Sequence, residues 1–433
     1  MERNGVNSRL IKLNLHTHQP QIPEPDAPTL PLPHSLLPNP NFPNVDVIIP
    51  CYNASSTIEA ALSSAYYQNY EGLISIVTYD DNSVDETEKR VLEFRSSHPS
   101  TPSRKLIHKS APPDKRDPGG AGYARNRCVE AGSGEVLVLL DSDDVMMPAR
   151  VKEQVELLMS LKDDERSRAI VGSKFYRDPA NSTHHYTNWA NGLSPDRLYL
   201  EQYRELTLLH PTWCMMRSRF EYLGGYVQAD GGSLVLKTTD ISPPKVTTTK
   251  PPPFPLILPS EPASSLILAE DLRLFYSHMK CSGLLYQAPS VLLMYRHALN
   301  SSQSSRTPRD LLVKLRLQAF SDRVLSKPPF SSGFCVWGAG RDGKAFVKSL
   351  SPPLLSLVRL MVDVDEKKIK GGYYFNRALD CKIPIKHFTA LNSPPHSDLP
   401  VVCCVAMYRT GGKLEENVAS VSREEGVSLW HFF

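Results

Sequence analysis

Short apolar runs alternate along the chain with segments in which apolar residues recur every three or four positions. Val45–Ile49, Leu73–Tyr79 and Val136–Leu140 are such runs, and each predicts a buried strand. Segments with helical spacing separate the runs, one of them around Ala124–Ala131. This alternation predicts an α/β fold with a mainly parallel sheet and helices on both faces.

The segment between the second predicted strand and Gly119 is rich in proline and lysine. A helix is predicted to extend through Leu92, and the residues after it predict a loop. Gly119-Gly120-Ala121-Gly122 then precede the helix around Ala124–Ala131. By itself, this glycine stretch predicts no more than a loop.

Polar residues directly follow the three predicted strands. They are Pro50-Cys51-Tyr52-Asn53, Asp80-Asp81-Asn82-Ser83 and Asp141-Ser142-Asp143-Asp144. In an open α/β sheet, ligands bind outside the carboxyl ends of the strands, so the three segments are predicted to line one crevice. Each acidic segment alone is also typical of a turn. Together, and in this order, the segments favour a nucleotide site.

Asp141 and Asp143 are two residues apart, so in an extended chain their side chains point to the same side. Several carboxylates packed together cost free energy unless a cation or hydrogen-bond donors compensate for their charge. Hard oxygen ligands at this spacing suit Mn²⁺ or Mg²⁺ that carries a diphosphate. The pair therefore predicts a metal site.

Four motifs resemble those of the family 2 glycosyltransferases. They are Val47-Ile48-Ile49-Pro50-x-Tyr52-Asn53, Asp80-Asp81-Asn82-Ser83-x-Asp85-x-Thr87, Gly122-x-Ala124-Arg125-Asn126 and Leu140-Asp141-Ser142-Asp143-Asp144. The resemblance extends from about Val45 to Gln303, apart from a proline-rich insertion. It implies the GT-A nucleotide-diphospho-sugar transferase fold, with a Rossmann-like mainly parallel sheet, and transfer that inverts the anomeric centre.

The resemblance also implies roles on the nucleotide side of the site. Pro50 and Asn53 would hold the nucleoside. Asp81 would accept a hydrogen bond from the base, and Asp141 would contact the ribose.

Further roles follow from the same resemblance. Arg125 and Asn126 would shape the nucleotide pocket. Asp143 would ligate Mn²⁺ or Mg²⁺, which assists departure of the nucleoside diphosphate. His297 would be a further metal or phosphate ligand, with a surface or packed histidine as the alternative.

The general base of the family is an aspartate at a helix start, after a Gly-Gly-aromatic turn. Gly224-Gly225-Tyr226 supplies such a turn, and Asp271 is the candidate base. The alternative is that Glu270 and Asp271 only cap the helix Leu272–Met279. Trp213 is a candidate for stacking on the acceptor sugar, with an ordinary core tryptophan as the alternative.

The chain has 37 prolines and 23 glycines, and 17 of the prolines fall in two short windows. Proline lacks a backbone donor, so neither window favours paired structure. We therefore predict a disordered arm over 1–44, a transferase domain over 45–327 and an insertion in it at about 229–264. A small Rossmann-like α/β domain is predicted over 333–433.

That C-terminal segment contains Gly338-Ala339-Gly340-Arg341-Asp342-Gly343 after a predicted strand, and Asp363 twenty residues later. The pattern fits a dinucleotide fingerprint. Only about 100 residues remain, too few for a full dinucleotide domain with its own substrate site. The glycines then either serve a tight turn or bind a nucleotide.

The overall charge, the lengths of the apolar runs and the cysteine spacing argue against several classes of protein. Lys and Arg number 49 against 46 Asp and Glu, so a nucleic-acid binder with a broad basic field is not expected. No apolar run is long enough for a membrane span. The eight cysteines form no C-x-x-C pair, which favours free thiols in a reducing compartment and a cytoplasmic protein.

The sequence thus predicts a metal-dependent inverting glycosyltransferase that moves a hexosyl or N-acetylhexosaminyl group from a nucleotide-diphosphate sugar, UDP-linked, to an unidentified acceptor hydroxyl. One alternative is a non-catalytic nucleotide-sugar-binding or scaffold protein whose insertion has displaced Asp271. The other is a nucleotide-dependent function centred on Gly338–Gly343.

Overall fold

The first structured region is a mixed eight-stranded sheet. The computed structural model describes residues 37–112, 114, 117–180, 182–228, 256–258, 261–297, 307–377, 380–406 and 411–433. The strands of the first sheet are β1 (Val45–Cys51), β2 (Ile74–Asp80), β3 (Arg104–Ser110), β4 (Val136–Leu139), β5 (Val145–Met146), β6 (Ala169–Asp178), β7 (Cys214–Met216) and β8 (Leu284–Arg296).

The strand order is β3-β2-β1-β4-β7-β6-β8-β5. The first four strands in this order are parallel, with Val45 in register with Ile74 on one side and Val136 on the other. β7 is antiparallel to both of its neighbours, and β5 is antiparallel to β8. Every residue of β1 and β2 is buried because helices cover both faces. The carboxyl ends of β1, β2 and β4 therefore lie at one edge of the sheet.

Helices lie between the strands along the chain, and one follows each of β1 and β2, as the alternation predicted. They are α1 (Ile58–Tyr66), α2 (Thr87–Ser97), α3 (Ala121–Ala131), α4 (Arg150–Ser160), α5 (Asp163–Arg166), α6 (His184–Asn191), α7 (Pro195–Leu200), α8 (Arg217–Tyr222), α9 (Ala263–Leu266), α10 (Glu270–Lys280), α11 (Arg309–Phe320), α12 (Arg341–Ser349), α13 (Pro352–Leu355), α14 (Glu366–Lys370) and α15 (Lys413–Ala419).

The prediction of a continuous loop before Gly119 was wrong, because β3 lies within it. Among the described strands, β3 lies at the edge of the sheet and pairs with β2 alone. Lys105 and Lys109 are exposed, and the residues between them are only half-buried. An edge strand needs few apolar residues, so its sequence lacks the buried pattern that marks β1.

A second, six-stranded sheet follows. Its strands are β9 (Phe334–Trp337), β10 (Val358–Asp363), β11 (Tyr373–Asn376), β12 (Cys381–His387), β13 (Val401–Cys403) and β14 (Leu429–His431). The order is β11-β12-β10-β9-β13-β14, and only β11 is antiparallel. The five parallel strands have the doubly wound arrangement of a Rossmann-like sheet. The predicted fold class, two α/β sheets in sequence, is confirmed.

One continuous hydrophobic cluster joins the two sheets. The ring of Tyr203 lies 5.4 Å from that of Trp430, and the ring of Phe320 lies 5.5 Å from that of Phe432. Aromatic contacts of this kind bury large apolar areas. The two sheets therefore share core packing, and a domain boundary near residues 327–333 stays a prediction.

The predicted arm and insertion lie mostly outside the described residues. Within the insertion predicted at about 229–264, residues 256–258 and 261–264 are described, and Leu256 and Leu258 pack against the main cluster. At the other end, the hydroxyl of Tyr70 donates to the carbonyl of Pro43 over 2.6 Å, and the nitrogen of Asn39 donates to the carbonyl of Glu71 over 2.9 Å, so the described end of the predicted arm packs against the segment before β2.

All eight cysteines are free, and six of them are buried. Within the described ranges, no helix is both long and apolar enough to cross a membrane.

Candidate active site

The loops after β1 and β2 hold each other at the carboxyl edge of the sheet. The backbone nitrogen of Asn53 donates to Oγ of Ser83 over 2.9 Å, and Oδ1 of Asn53 accepts from the nitrogen of Val84 over 2.9 Å. Asn53 has φ +50°, a left-handed conformation that asparagine tolerates better than most residues. Pro50 lies buried at the end of β1, in register with Tyr79.

Asp81 ties β2 to the glycine stretch before α3. Its Oδ2 accepts from the backbone nitrogen of Gly120 over 2.7 Å, and only 1% of the residue is exposed. Gly120 has φ +93°, which glycine adopts without the cost that a Cβ would add. The glycine stretch is thus more than a linker, because it binds a carboxylate of the predicted nucleotide site.

The acidic segment after β4 is a turn and not an extended chain, which corrects the geometry expected from its spacing. The nitrogen of Asp144 donates to the carbonyl of Asp141 over 3.1 Å and closes the turn. The turn brings Asp141, Asp143 and Asp144 together, with one ligand oxygen from each within 4.8 Å of the others. Asp144 is fully buried and was not among the predicted ligands.

Burial and the neighbouring carboxylates raise the affinity of Asp143 and Asp144 for protons. Burial, and then the charge of Asp141, raises the pKa of Asp143 to about 6. Burial and both neighbours raise the pKa of Asp144 well above its usual range. Oδ2 of Asp144 is buried and has no hydrogen-bond partner among the described residues. A hard divalent cation would satisfy this oxygen and neutralise the cluster, so the residues fit Mn²⁺ or Mg²⁺.

The residue from β8 that contacts the acidic turn is Arg296, not His297. The nitrogen of Arg296 donates to Oδ1 of Asp144 over 2.9 Å, and its Nη1 donates to the carbonyl of Asp143 over 2.9 Å. His297 is half-buried and is not part of the cluster of Asp141, Asp143 and Asp144. Its backbone nitrogen donates to the carbonyl of Asp178. The described geometry therefore gives no support to His297 as a ligand.

Arg125 connects the acidic turn to the helix that carries the candidate base. Its Nη2 donates to Oδ1 of Asp141 over 2.6 Å, and its Nη1 donates to Oε1 of Glu270 over 3.0 Å. The side chain is only 4% exposed. Burial alone would lower the pKa of Arg125, but Asp141, Tyr226 and Glu270 raise it above its ordinary value. The guanidinium is thus a permanent cation between two carboxylates.

Asn126 acts on the site indirectly. It is fully buried, its Nδ2 donates to the carbonyl of Tyr226 over 2.8 Å, and its Oδ1 accepts from the nitrogen of the same residue over 3.0 Å. The Gly-Gly-aromatic turn is thereby fixed to α3. The hydroxyl of Tyr226 lies 2.8 Å from Nε2 of His210, so a hydrogen bond also fixes the buried end of the tyrosine side chain.

Gly122 allows α3, Tyr226 and Glu270 to meet. A Cβ at this position would lie 2.9 Å from that of Tyr226 and 3.2 Å from that of Glu270. Both distances are shorter than ordinary carbon contacts. The glycine of the third motif is therefore required by close packing.

Asp271 is half-buried at the first turn of α10. Burial, and then the neighbouring Glu270, raises its pKa to about 7. Its Oδ1 accepts from the nitrogen of Leu272 over 2.7 Å. This contact is to the adjacent residue inside the helix, whose N-cap is Ala269, so it is not an N-cap bond. The raised pKa gives Asp271 the basicity that a general base requires.

Trp213 belongs to the core. It is fully buried, and its indole nitrogen donates to the carbonyl of Leu208 over 3.1 Å. The alternative of an ordinary core tryptophan is therefore what the structure shows, because a side chain without exposed surface cannot stack on a sugar.

The glycine turn after β9 is explained by its own packing. A Cβ at Gly343 would lie 1.7 Å from the carbonyl oxygen of Gly338. The carboxylate of Asp363 accepts from the nitrogens of Ala339, Val364 and Asp365 and from Nζ of Lys368, all within 3.0 Å. The tight-turn explanation accounts for these residues without a ligand.

Residues 46–223 match the family model Glycosyl transferase family 2. The chain contains a family 2 glycosyltransferase domain. The match covers β1 to α8 and therefore includes every residue predicted for the nucleotide side of the site. It ends before α10, so Asp271 lies outside it.

Curated relatives are similar to about a quarter of the chain. The chain is 33% identical over 115 residues to the UDP-Glc:α-D-GlcNAc-diphosphoundecaprenol β-1,3-glucosyltransferase WfgD of Escherichia coli. It is 35% identical over 115 residues to the succinoglycan biosynthesis protein ExoO of Rhizobium meliloti. The matches cover 27% and 26% of this chain and 41% and 29% of the relatives, so less than half of each relative is spanned.

Among solved structures, TarS of Staphylococcus aureus in complex with UDP-GlcNAc is similar with a TM-score of 0.41 and 15% identity. This similarity covers 73% of the chain and 74% of TarS. Glucosyl-3-phosphoglycerate synthase of Mycobacterium tuberculosis in complex with Mn²⁺ and UDP-glucose is similar with a TM-score of 0.35 and 20% identity. That similarity covers 66% of this chain and 78% of the synthase.

Proposed function

We propose that the protein is a metal-dependent, inverting glycosyltransferase that moves a hexosyl or N-acetylhexosaminyl group from a nucleotide-diphosphate sugar to an acceptor hydroxyl. The observation that carries the proposal is the bridge made by Arg125. It joins Asp141 of the acidic turn to Glu270, next to Asp271, so the donor side and the base side of the site form one unit.

Asp143 and Asp144 would hold Mn²⁺ or Mg²⁺, with Arg296 fixing the turn that presents them. The bound metal supplies Lewis-acid stabilisation of charge on the departing nucleoside diphosphate. Asn53 and Asp81 lie along the same edge and would bind the nucleoside, with Asp141 at the ribose. These aspartates would all bind the donor or the metal, so the acceptor's proton must pass to a different carboxylate.

Asp271 would be that further carboxylate. As the acceptor oxygen attacks the anomeric carbon, its proton passes to a carboxyl oxygen of Asp271 while the bond to the diphosphate oxygen breaks. A base with a pKa of about 7 is about half deprotonated at pH 7 and accepts a proton efficiently. One displacement of this kind inverts the anomeric centre.

A UDP-linked donor is proposed because the name of the WfgD relative includes UDP-glucose. The C-terminal segment, together with the four motifs, resembles the eukaryotic β-1,3-N-acetylglucosaminyltransferase-like proteins, which makes UDP-N-acetylglucosamine the first donor to test. The eight free thiols favour a reducing compartment, and we propose the cytoplasm.

The test is a donor screen by UDP release with purified full-length protein, with Mn²⁺, with Mg²⁺ and with a chelator. We expect metal-dependent release from one UDP-sugar. UDP binding without release from any donor would instead support a nucleotide-sugar-binding or scaffold protein.

A further inference from the structure

Arg273 is a fully buried arginine in α10 whose five N–H donors all have acceptors. Nε donates to the carbonyl of Leu268 over 3.0 Å, and Nη2 donates to that of Ser265 over 3.2 Å. Nη1 donates to the carbonyl of Leu256 over 2.7 Å and to Glu261 over 3.1 Å, and Nη2 also binds Glu261. One side chain thus holds three carbonyls and one carboxylate.

All of these acceptors lie on the segment that returns from the insertion to α10. Glu261 is itself fixed, because it accepts from the nitrogen of Leu258 over 3.0 Å and from the hydroxyl of Ser265 over 2.7 Å. Its side chain is only 3% exposed. The end of the insertion is therefore bound to the helix that begins with Glu270 and Asp271.

The last residue before α10 has a costly backbone conformation. Ala269 has φ +54° and ψ +37°, the left-handed region that an alanine rarely adopts. Such a conformation is unfavourable for a residue with a Cβ and persists only where its surroundings fix it. Arg273 binds the carbonyl just before this residue, at Leu268, and its own nitrogen donates to the carbonyl of Ala269 over 3.0 Å.

A buried ion pair is not required for stability alone. Removing two charges from water is costly, and apolar residues of similar volume are often at least as stabilising. A guanidinium that binds four groups in fixed directions instead specifies one geometry. That geometry is the turn at Ala269, two residues before Asp271.

We infer that Arg273 is a positioning residue. It binds the returning end of the insertion, fixes the left-handed turn at Ala269, and thereby sets the place of Asp271 opposite the acidic turn. This inference rests on the transferase function proposed above. The proline-rich insertion then does more than separate the Gly-Gly-aromatic turn from the base. Its returning end supports the helix start that carries Asp271.

Arg104 provides a matched control. It is also buried, and its five N–H donors bind the carbonyls of five residues, namely Tyr66, Gln68, Tyr70, Gly72 and Ser103. It lies at the first residue of β3, at the end of the sheet opposite the acidic turn. Arg104→Lys and Arg273→Lys remove the same kind of contact, but only the second lies beside Asp271.

The experiment compares the full-length protein with Arg273→Lys, Arg104→Lys and Arg273→Lys/Ala269→Gly. Melting temperature, kcat, KM for the best UDP-sugar, the pH profile and backbone hydrogen exchange are measured. We expect both single variants to melt lower. Only Arg273→Lys should lose kcat, by about 10- to 100-fold, as expected for a misplaced reacting group, with KM little changed.

Two further results are expected of Arg273→Lys. The acid limb of its pH profile should move to lower pH, because a looser turn hydrates Asp271. Hydrogen exchange should increase at residues 265–272. The added Ala269→Gly should recover at least part of the lost kcat, since glycine adopts the left-handed turn without the arginine.

Equal kcat in Arg273→Lys and Arg104→Lys, or unchanged exchange at 265–272, would overturn the inference. If Arg273→Lys does not fold, Glu261→Gln replaces it and is judged by the same readouts. Wild-type protein that turns over no UDP-sugar, with exchange at 265–272 still increased in the variant, would overturn the proposed function and leave the positioning role standing.

Discussion

Nη2 of Arg125 lies 2.6 Å from Oδ1 of Asp141, so a side chain from α3 holds the first carboxylate of the acidic turn. The same guanidinium reaches Glu270 on the other side. The structure thus couples the two halves of the site through one buried cation.

Arg125→Lys tests this coupling. A lysine carries the charge on a single nitrogen and cannot bridge both carboxylates with the geometry of a guanidinium. We expect about 100-fold lower kcat/KM and a loss of about 1.5–3 kcal/mol in the free energy of unfolding. Steady-state kinetics and denaturant unfolding measure the two effects.

Arg127→Lys is the control on the same helix. Arg127 pairs with Glu130 and is 28% exposed, away from the acidic turn. Its kcat/KM should stay within about twofold of the wild type. Similar losses in the two variants would mean that the bridge itself has no special role.

Gly122→Ala tests the close packing of α3 against the base-carrying helix. Its Cβ would meet both Tyr226 and Glu270, and overpacking of this kind costs about 1–3 kcal/mol. We expect a lower melting temperature and lower activity, because Glu270 moves away from Arg125. Gly340→Ala is the control, since the one described atom within 4 Å of its Cβ would be Nζ of Lys368, at 3.6 Å. Equal destabilisation of the two variants would contradict the packing argument.

The raised pKa of Asp271 predicts the pH dependence of turnover. The deprotonated carboxyl is the active form, so kcat/KM should fall as the pH decreases through about 7. An ordinary aspartate would give this limb near 4. A pH–rate profile with saturating metal measures it, and a flat profile between about pH 5 and 8 would count against Asp271 as the base.

The raised pKa of Asp271 also predicts that its contribution to folding stability decreases with rising pH, whereas activity increases. Burial and Glu270 raise the pKa of Asp271 from 3.8 to about 7 in the folded protein, so folding takes up a proton between these values. The contribution favours the fold below about pH 4 and is lost as the pH rises to about 7. Asp271→Asn should therefore melt no lower than the wild type at about pH 8. A clearly lower melting temperature there would show that the carboxylate stabilises the fold.

Three of the four parallel strands of the first sheet can be predicted from the sequence. β1, β2 and β4 are fully buried, so their apolar runs predict them and place Asn53, Asp81 and Asp141 at one edge. β3 escaped prediction because an edge strand lacks this pattern. The local spacing of the acidic segment likewise pointed to an extended chain, whereas a turn brings in Asp144.

The remaining site contacts join residues that are far apart in the chain. Arg125 and Glu270 are 145 positions apart, and Arg296 binds Asp144 across 152. No local pattern reports such pairs, because they depend on how the sheet is assembled. The support of α10 by Arg273 was hidden for the same reason, since proline content marks the insertion without showing where its end packs.

The most direct test of the account is the transfer rate of Asp271→Asn with Mn²⁺ and the best UDP-sugar, measured beside its affinity for that donor. Asparagine keeps the size and the contact with Leu272 but cannot take the acceptor's proton. We predict a rate at least about 100-fold below that of the wild type, with donor affinity within a few-fold. A variant that binds the donor and transfers sugar at the wild-type rate would contradict the assignment of Asp271 as the general base.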